Sequence, residues 1–274
     1  MQLWDVSLVI ILFWAVFKQN GSALNTWADR YTNREVTGVA EKVFSSLNFS
    51  QKLLYKKDSV AVYDEQFRLQ KVDGNVVKEF NYHPYFKNIP PEERPVDGNE
   101  VSLWATNLSQ SINPGWVIIL TPLIVAFFSW LRRRNKEPST ATKIAFGLFI
   151  SALSALVMVG AVYASNNGGE KASVIWLIVS YGVITIGELL LSPMGLSLVS
   201  KLSPVRITSL MMGGWFLSTS IGNKLSGVLS GMWDNYTHKA GFFWLNFGLL
   251  MVAAIMCFAM LRWLNRIMKE KGLK

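Results

Sequence analysis

The sequence predicts an all-α integral membrane protein with six transmembrane helices. Of the 274 residues, 51% are hydrophobic and only 16% are charged, a composition too apolar for an ordinary soluble domain. Six stretches are each long enough to cross about 30 Å of hydrocarbon at about 1.5 Å per residue. Clusters of basic residues alternate with linkers of little net charge, which is typical of polytopic membrane proteins.

The predicted spans define the organisation of the chain. They lie at 6–28, 112–131, 143–164, 174–199, 208–230 and 241–263. A long polar zone separates the first span from the second. We therefore expect a first transmembrane helix at 1–30, an external insertion at 31–110, and five further transmembrane helices with a cytoplasmic tail at 111–274.

The basic clusters predict the orientation of these helices. They lie at 132–143, 200–207 and 262–274, and the positive-inside rule places all three in the cytoplasm. The N-terminus and the C-terminus are then both cytoplasmic, and the insertion is external. We expect the protein to lie in the inner membrane of a bacterium. Because the net charge of +9 lies beside the spans, it predicts contact with the lipid bilayer and no nucleic-acid partner.

The first span carries an unusual set of residues on one face. Trp14, Lys18, Gly21 and Asn25 are spaced by four, three and four positions, so they share one side of a helix. The Gln19–Ser22 run weakens helix formation just beyond the lysine.

The external insertion is long for a structureless loop, so we expect an ordered excursion. Apolar residues at helical intervals in 34–57 predict an amphipathic extension of the first helix. The segments 67–72 and 75–80 flank Asp73-Gly74 and predict a β-hairpin. A peripheral cap and a gating or recognition element are both open as its role.

Two further positions allow a structural and a functional interpretation. Asn113-Pro114 lies at the external entrance of the second span, where Asn is a natural N-cap and ligand binding is the alternative. Trp215 lies beside a ridge of small residues in the fifth span. It can wall a cavity, or it can simply pack between helices.

Glu188 is the most informative residue of the chain. It is the only acidic residue within the six predicted spans, and an ionised group at bilayer depth costs on the order of 3 kcal/mol. The run Leu191–Gly195, which contains Pro193, is expected to interrupt the same helix. A lone acid beside a helix break is typical of substrate or proton sites in transporters. The alternative is a neutral carboxylic acid that is hydrogen-bonded to a neighbouring helix.

The breaks expected in the first and fourth spans occupy corresponding positions of two helix triplets. Such pairs are the best sequence indication of an inverted repeat of three plus three helices with a binding site between them.

Enzyme, metal and cofactor signatures are missing. The sequence has no HExxH, GxxxxGK[ST] or GxSxG motif, and it has two histidines and one cysteine. We expect no enzyme activity, no metal and no cofactor. An intramembrane hydrolase that combines Ser192 or Ser218 with Lys18 or Lys224 is a remote alternative, without supporting spacing.

Four segments resemble a known family. They are Phe13–Ser22, Gln110–Pro114, Gly187–Ser197 and Met211–Leu217. Together they are similar to the C-terminal half of the proton-dependent oligopeptide transporters, a family of the major facilitator superfamily. The GELLLSPMGLS sequence carries the most specific likeness, and the insertion is not covered.

The resemblance implies a six-helix bundle, the C-terminal half of a twelve-helix symporter for di- and tripeptides. It implies that Glu188 binds the peptide amino terminus. Ser192 and Asn113 would be polar cavity contacts, and Trp215 and Trp14 would shape side-chain pockets. The family works by alternating access and couples peptide uptake to protons.

Two departures from the family matter. The family has an acidic residue where Lys18 stands, and this acid takes part in gating ion pairs. Lys18 therefore leaves the coupling ion open, and it can pair with Glu188 or bind a peptide carboxylate. The N-terminal bundle is missing from the sequence. Three interpretations are open. The chain is the C-terminal half of a transporter that works once joined to its N-terminal half, or it is a truncated product without transport. Alternatively, it assembles with a bundle that a separate gene encodes.

Overall fold

Helices dominate the structure, a computed structural model that describes residues 3–64, 67–203 and 205–270. The α-helices in these ranges are α1 (Leu3–Phe17), α2 (Ala23–Arg30), α3 (Gly38–Ser46), α4 (Ser109–Arg133), α5 (Thr140–Ala164), α6 (Val174–Leu202), α7 (Thr208–Gly231) and α8 (Ala240–Glu270). Four of them, α4, α5, α6 and α8, are long and apolar enough to cross a membrane.

The long helices pack into one bundle. α5 lies between α6 and α8, α1 packs against α7 and α8, and α4 packs on α6. One apolar cluster fills the end of the bundle that carries the insertion, around Trp27 and Phe242. A second fills its centre, where Phe13 of α1 and Leu191 of α6 belong to the same cluster. The helices that carry the predicted site residues therefore meet in a shared core.

The first predicted span is divided, as the weak run beyond Lys18 predicted. α1 ends at Phe17, residues Lys18–Gly21 form a 3₁₀ turn, and α2 begins at Ala23. The Ser22 backbone is not helical (φ −129°, ψ −86°). The predicted amphipathic helix over 34–57 forms only in part, as α3 (Gly38–Ser46). It does not extend the first helix, because the chain after α2 runs extended and pairs with its neighbours. Thr32 pairs with Ala172 and Glu35 with Leu103.

The predicted interruption of the fourth span is also wrong. α6 runs without a break from Val174 to Leu202 and contains Pro193. A proline removes one backbone hydrogen bond, and membrane helices tolerate this loss where neighbouring groups compensate. Pro193 is exposed, so its ring meets no opposing helix in the described structure.

The insertion contains three antiparallel strand pairs. They are β1 (Ser50–Leu54) with β6 (Glu100–Trp104), β2 (Asp58–Ala61) with β5 (Lys78–Asn81), and β3 (Lys71–Val72) with β4 (Asn75–Val76). The last pair encloses Asp73 and Gly74, both with positive φ, and is shorter than the predicted hairpin, because β5 pairs with β2. A small core of aromatic and aliphatic residues around Tyr85, Phe86 and Leu103 holds the insertion together.

Hydrogen bonds dock the insertion on one end of the bundle. The Asn88 side chain donates to the carbonyl oxygens of Arg30 and Gly168, each at 3.1 Å. Lys171, in the loop between α5 and α6, donates to the Arg30 carbonyl oxygen at 3.0 Å. The Lys171 ammonium also lies 3.9 Å from the centre of the Tyr85 ring. Lys171, a residue of the bundle, is thus partly enclosed by the insertion.

This docking should depend on pH through Lys171. Burial, together with the charge of Arg34 and against the opposing charges of Asp29 and Glu35, lowers the pKa of Lys171 from 10.5 to about 7. An undocked, hydrated lysine keeps its ordinary pKa, so protonation favours undocking as the pH falls from about 10 to 7, and the effect levels off below 7.

Hydrogen exchange at the Ala172 amide, corrected for the intrinsic effect of pH, measures the docking. We expect greater protection at pH 9 than at pH 7, and Lys171→Met should remove this difference. The matched control is Lys42→Met at an exposed position of α3, which should retain it. A difference that persists in Lys171→Met would contradict the assignment.

Candidate functional site

A small polar group on α4 and α6 surrounds the predicted membrane carboxylate. Asn113 of α4 donates from Nδ2 to Thr185 Oγ1 at 2.8 Å and to Glu188 Oε2 at 3.4 Å. Thr185 in turn donates to the Tyr181 carbonyl oxygen at 2.6 Å. Thr185 is fully buried and Glu188 is half-buried. The carboxylate is therefore fixed on one side by an amide and accessible on the other.

Helix geometry explains this arrangement. Thr185 and Glu188 are three residues apart, so they lie on the same face of α6. α4 begins at Ser109, so Asn113 lies inside the helix, and its interpretation as an N-cap is wrong. Its side chain is free to reach across to α6 because it does not cap its own helix.

Lys18 lies close to the polar group of Asn113, Thr185 and Glu188 but makes no hydrogen bond or ion pair with it in the described structure. Its ammonium lies over the Trp14 ring, 5.3 Å from the ring centre, and its side chain is exposed. Its positive charge attracts the Glu188 carboxylate. Among the described residues, no ion pair within 4.0 Å joins the two. The sequence-predicted pairing is therefore not formed in this conformation.

Two other predicted site residues carry buried polar atoms without a partner. Trp14 Nε1 and Ser192 Oγ make no hydrogen bond with the part of the protein that the structure describes. Ser218 Oγ donates to the Gly214 carbonyl oxygen at 2.9 Å. Within the described ranges, neither serine contacts a lysine, so the geometry offers no Ser–Lys hydrolase pair.

Trp215 lies apart from the carboxylate. It is buried in the central apolar cluster, and its indole ring packs directly on Gly195 of α6. Gly195 lies about two helical turns from Glu188. In this conformation Trp215 acts as a packing residue between α6 and α7, which was the structural alternative for this residue.

Sequence reasoning did not identify the polar network that holds the broken first helix. Gln19 is buried and donates from Nε2 to the Ser226 carbonyl oxygen at 3.1 Å and to Ser226 Oγ at 3.3 Å. The Ser230 hydroxyl donates to Gln19 Oε1 at 2.9 Å and shares a 2.6 Å hydrogen bond with the Ser22 hydroxyl. Ser226 and Ser230 of α7 could have indicated it, since they contact Gln19 in the 3₁₀ turn that follows α1.

The family model described as "POT family" matches residues 104–246, more than half of the chain. The chain belongs to the POT family. The match covers α4 to α7 and the start of α8 and includes the Asn113–Glu188 group.

Curated relatives agree with the family. Dipeptide and tripeptide permease A of Escherichia coli (strain K12) is 38% identical over 132 residues, which cover 47% of this chain and 25% of the permease. The peptide transporter YePEPT of Yersinia enterocolitica is 37% identical over 127 residues, which cover 44% of this chain and 24% of that protein. The chain thus matches about a quarter of the length of these relatives.

Solved structures of the family share the fold. A mutant of the peptide transporter POT in complex with alafosfalin superposes with a TM-score of 0.62 at 24% identity, over 97% of this chain and 41% of that one. The same transporter in complex with sulfate gives 0.62 at 23% identity, over 96% and 40%. Because these matches cover nearly the whole chain, the bundle as a whole has the family's architecture.

The contact between Gly195 and Trp215 predicts a sharp packing requirement. A Cβ at Gly195 would overlap the Trp215 indole ring, so Gly195→Ala should destabilise the bundle by about 1–3 kcal/mol. The control is Gly213→Ala on α7, where a Cβ would meet nothing within 4 Å. Thermal unfolding in detergent should show a lower midpoint for Gly195→Ala alone. Equal midpoints for the two variants would refute the packing role of Trp215.

Proposed function

We propose that this chain is the C-terminal half of a symporter that moves di- or tripeptides across the membrane by alternating access. The observation that carries the proposal is the Glu188 carboxylate, which Asn113 of α4 holds on one side while the other side is accessible. A carboxylate fixed in this way is a ready partner for the ammonium group of a peptide.

Glu188 binds the peptide amino terminus while it is ionised. Protonation of the carboxylate removes the charge attraction and favours release to the cytoplasm. Asn113 keeps the carboxylate oriented during this cycle. The unpartnered Trp14 Nε1 and Ser192 Oγ support a polar ligand or an opposing surface near the site, since buried polar groups are normally hydrogen-bonded.

Lys18 supplies the positive charge of the site, and it has one of two roles. It binds the carboxylate of the peptide, or it pairs with Glu188 when the site is empty and so closes it. The attraction between Lys18 and Glu188, together with the absence of an ion pair in the described conformation, is compatible with both. The proposed coupling ion is the proton. Because a lysine replaces the family's acid at position 18, Glu188 is the proposed proton carrier.

The proposed architecture has six spans in two inverted triplets, with the insertion outside and the C-terminus in the cytoplasm. The partner of this half is an N-terminal bundle of six helices. The chain matches 41% of the length of a solved family member, which leaves room for such a bundle. The exposed face of α7 supports it, since this face carries large apolar side chains such as Leu210 and Leu217.

Uptake of a labelled dipeptide into proteoliposomes tests the proposal, with the chain reconstituted together with the bundle that co-purifies with it. Glu188→Gln should lower uptake about 10- to 100-fold and abolish its response to an imposed pH gradient, because a charge-assisted bond of roughly 1.5–3 kcal/mol is lost.

The matched control is Glu170→Gln, the same chemical change at an exposed external carboxylate, which should leave uptake unchanged. Undiminished, pH-dependent uptake by Glu188→Gln would overturn the role of this residue. A wild-type chain that recruits no bundle and takes up no peptide would instead identify a truncated product without transport.

A further inference from the structure

The short helix α3 of the insertion exposes a continuous apolar stripe. Val39, Val43 and Leu47 are exposed by 79, 47 and 55%, and their spacing of four residues aligns them along one side of the helix. Phe49, which follows directly, is 42% exposed. No residue of α3 itself is buried. Single exposed apolar residues are ordinary, whereas a continuous stripe marks an interaction surface.

The packing of α3 fixes its level relative to the membrane. Phe44 of α3 packs in the same cluster as Ile112 of α4, and the Phe49 carbonyl oxygen accepts a hydrogen bond from the Ala105 amide at 2.8 Å. A span of about 20 residues, counted back from Arg132 at the basic end of α4, reaches Ile112. α3 therefore lies level with the external edge of the hydrocarbon layer.

The other sides of α3 are polar. Glu41 accepts a hydrogen bond from Ser102 Oγ at 2.6 Å, which fixes one side of the helix to β6. Ser45 is exposed and lies on the flank opposite the stripe, and the exposed Lys42 lies between the two. The helix is thus amphipathic, and Glu41 holds it in a fixed rotation against β6.

We propose that α3 lies in the interfacial layer of the external leaflet and inserts the Val39–Val43–Leu47 stripe into lipid. Lipid is the occupant because the exposed apolar surface continues along α4, where Ile118 and Ile119 are exposed by 75 and 56%. The insertion is then anchored at two places, on the bundle through Lys171 and on the bilayer through α3. This anchor does not depend on the transported substrate.

Nitroxide accessibility in the full chain tests the anchor. Val43→Cys and Ser45→Cys are each labelled in a Cys257→Ala background and reconstituted in vesicles of phosphatidylcholine and phosphatidylglycerol. The two positions lie on opposite flanks of the same short helix. We expect the ratio of oxygen accessibility to Ni(II)-EDDA accessibility to be severalfold higher at position 43 than at position 45, because oxygen partitions into lipid and the nickel complex stays in water. Leu47→Cys provides a second position on the stripe if Val43→Cys does not insert.

Three results decide the proposal. A lipid-like ratio at position 43 or 47 and a water-like ratio at 45 support it. High nickel accessibility at all three positions overturns it, because the stripe then faces water. Low accessibility to both reagents at positions 43 and 47 also overturns it, because a second copy of the chain or another protein surface then covers the stripe.

Discussion

The structure depends on how one carboxylate is accommodated at membrane depth. Burying an ionised group there costs on the order of 3 kcal/mol, so the carboxylate needs polar partners or water. Asn113 provides the partner, and in doing so it ties α4 to α6. This contact matters because the apolar span of α4 has no buried residues and packs mainly on α6. The same hydrogen bond therefore orients the carboxylate and fixes the most exposed helix of the bundle.

A second polar contact makes the break in the first helix possible. Backbone groups freed by a helix break need new partners inside a membrane protein. The buried Gln19 side chain bridges the break to Ser226 of α7, and Ser230 closes the network. Gly222 brings the two helices close, since it packs against the backbone of Ile11 and the side chain of Trp14. The position of Lys18 and Trp14 beside the Glu188 group thus follows from small and polar residues on α7.

Sequence reasoning predicted the family, the weak point of the first helix and the unusual acid, since each depends on local residue types. It failed where the outcome depends on partners distant in sequence. The break expected at Pro193 did not form, because proline alone does not end a membrane helix. The helix expected over 34–57 is shorter and separate from the first helix, because Thr32 and Glu35 find strand partners in Ala172 and Leu103. The role of Gln19 was missed, because its serine partners lie more than 200 residues away.

The central claim is that Glu188 faces a water-filled site in the assembled transporter. Cysteine reactivity tests this most directly: Glu188→Cys is compared with Val179→Cys, an exposed apolar position of the same helix, each in a Cys257→Ala background. A charged, water-soluble thiosulfonate should label position 188 severalfold faster than position 179. Equal rates at the two positions, or no labelling at 188, would contradict the account.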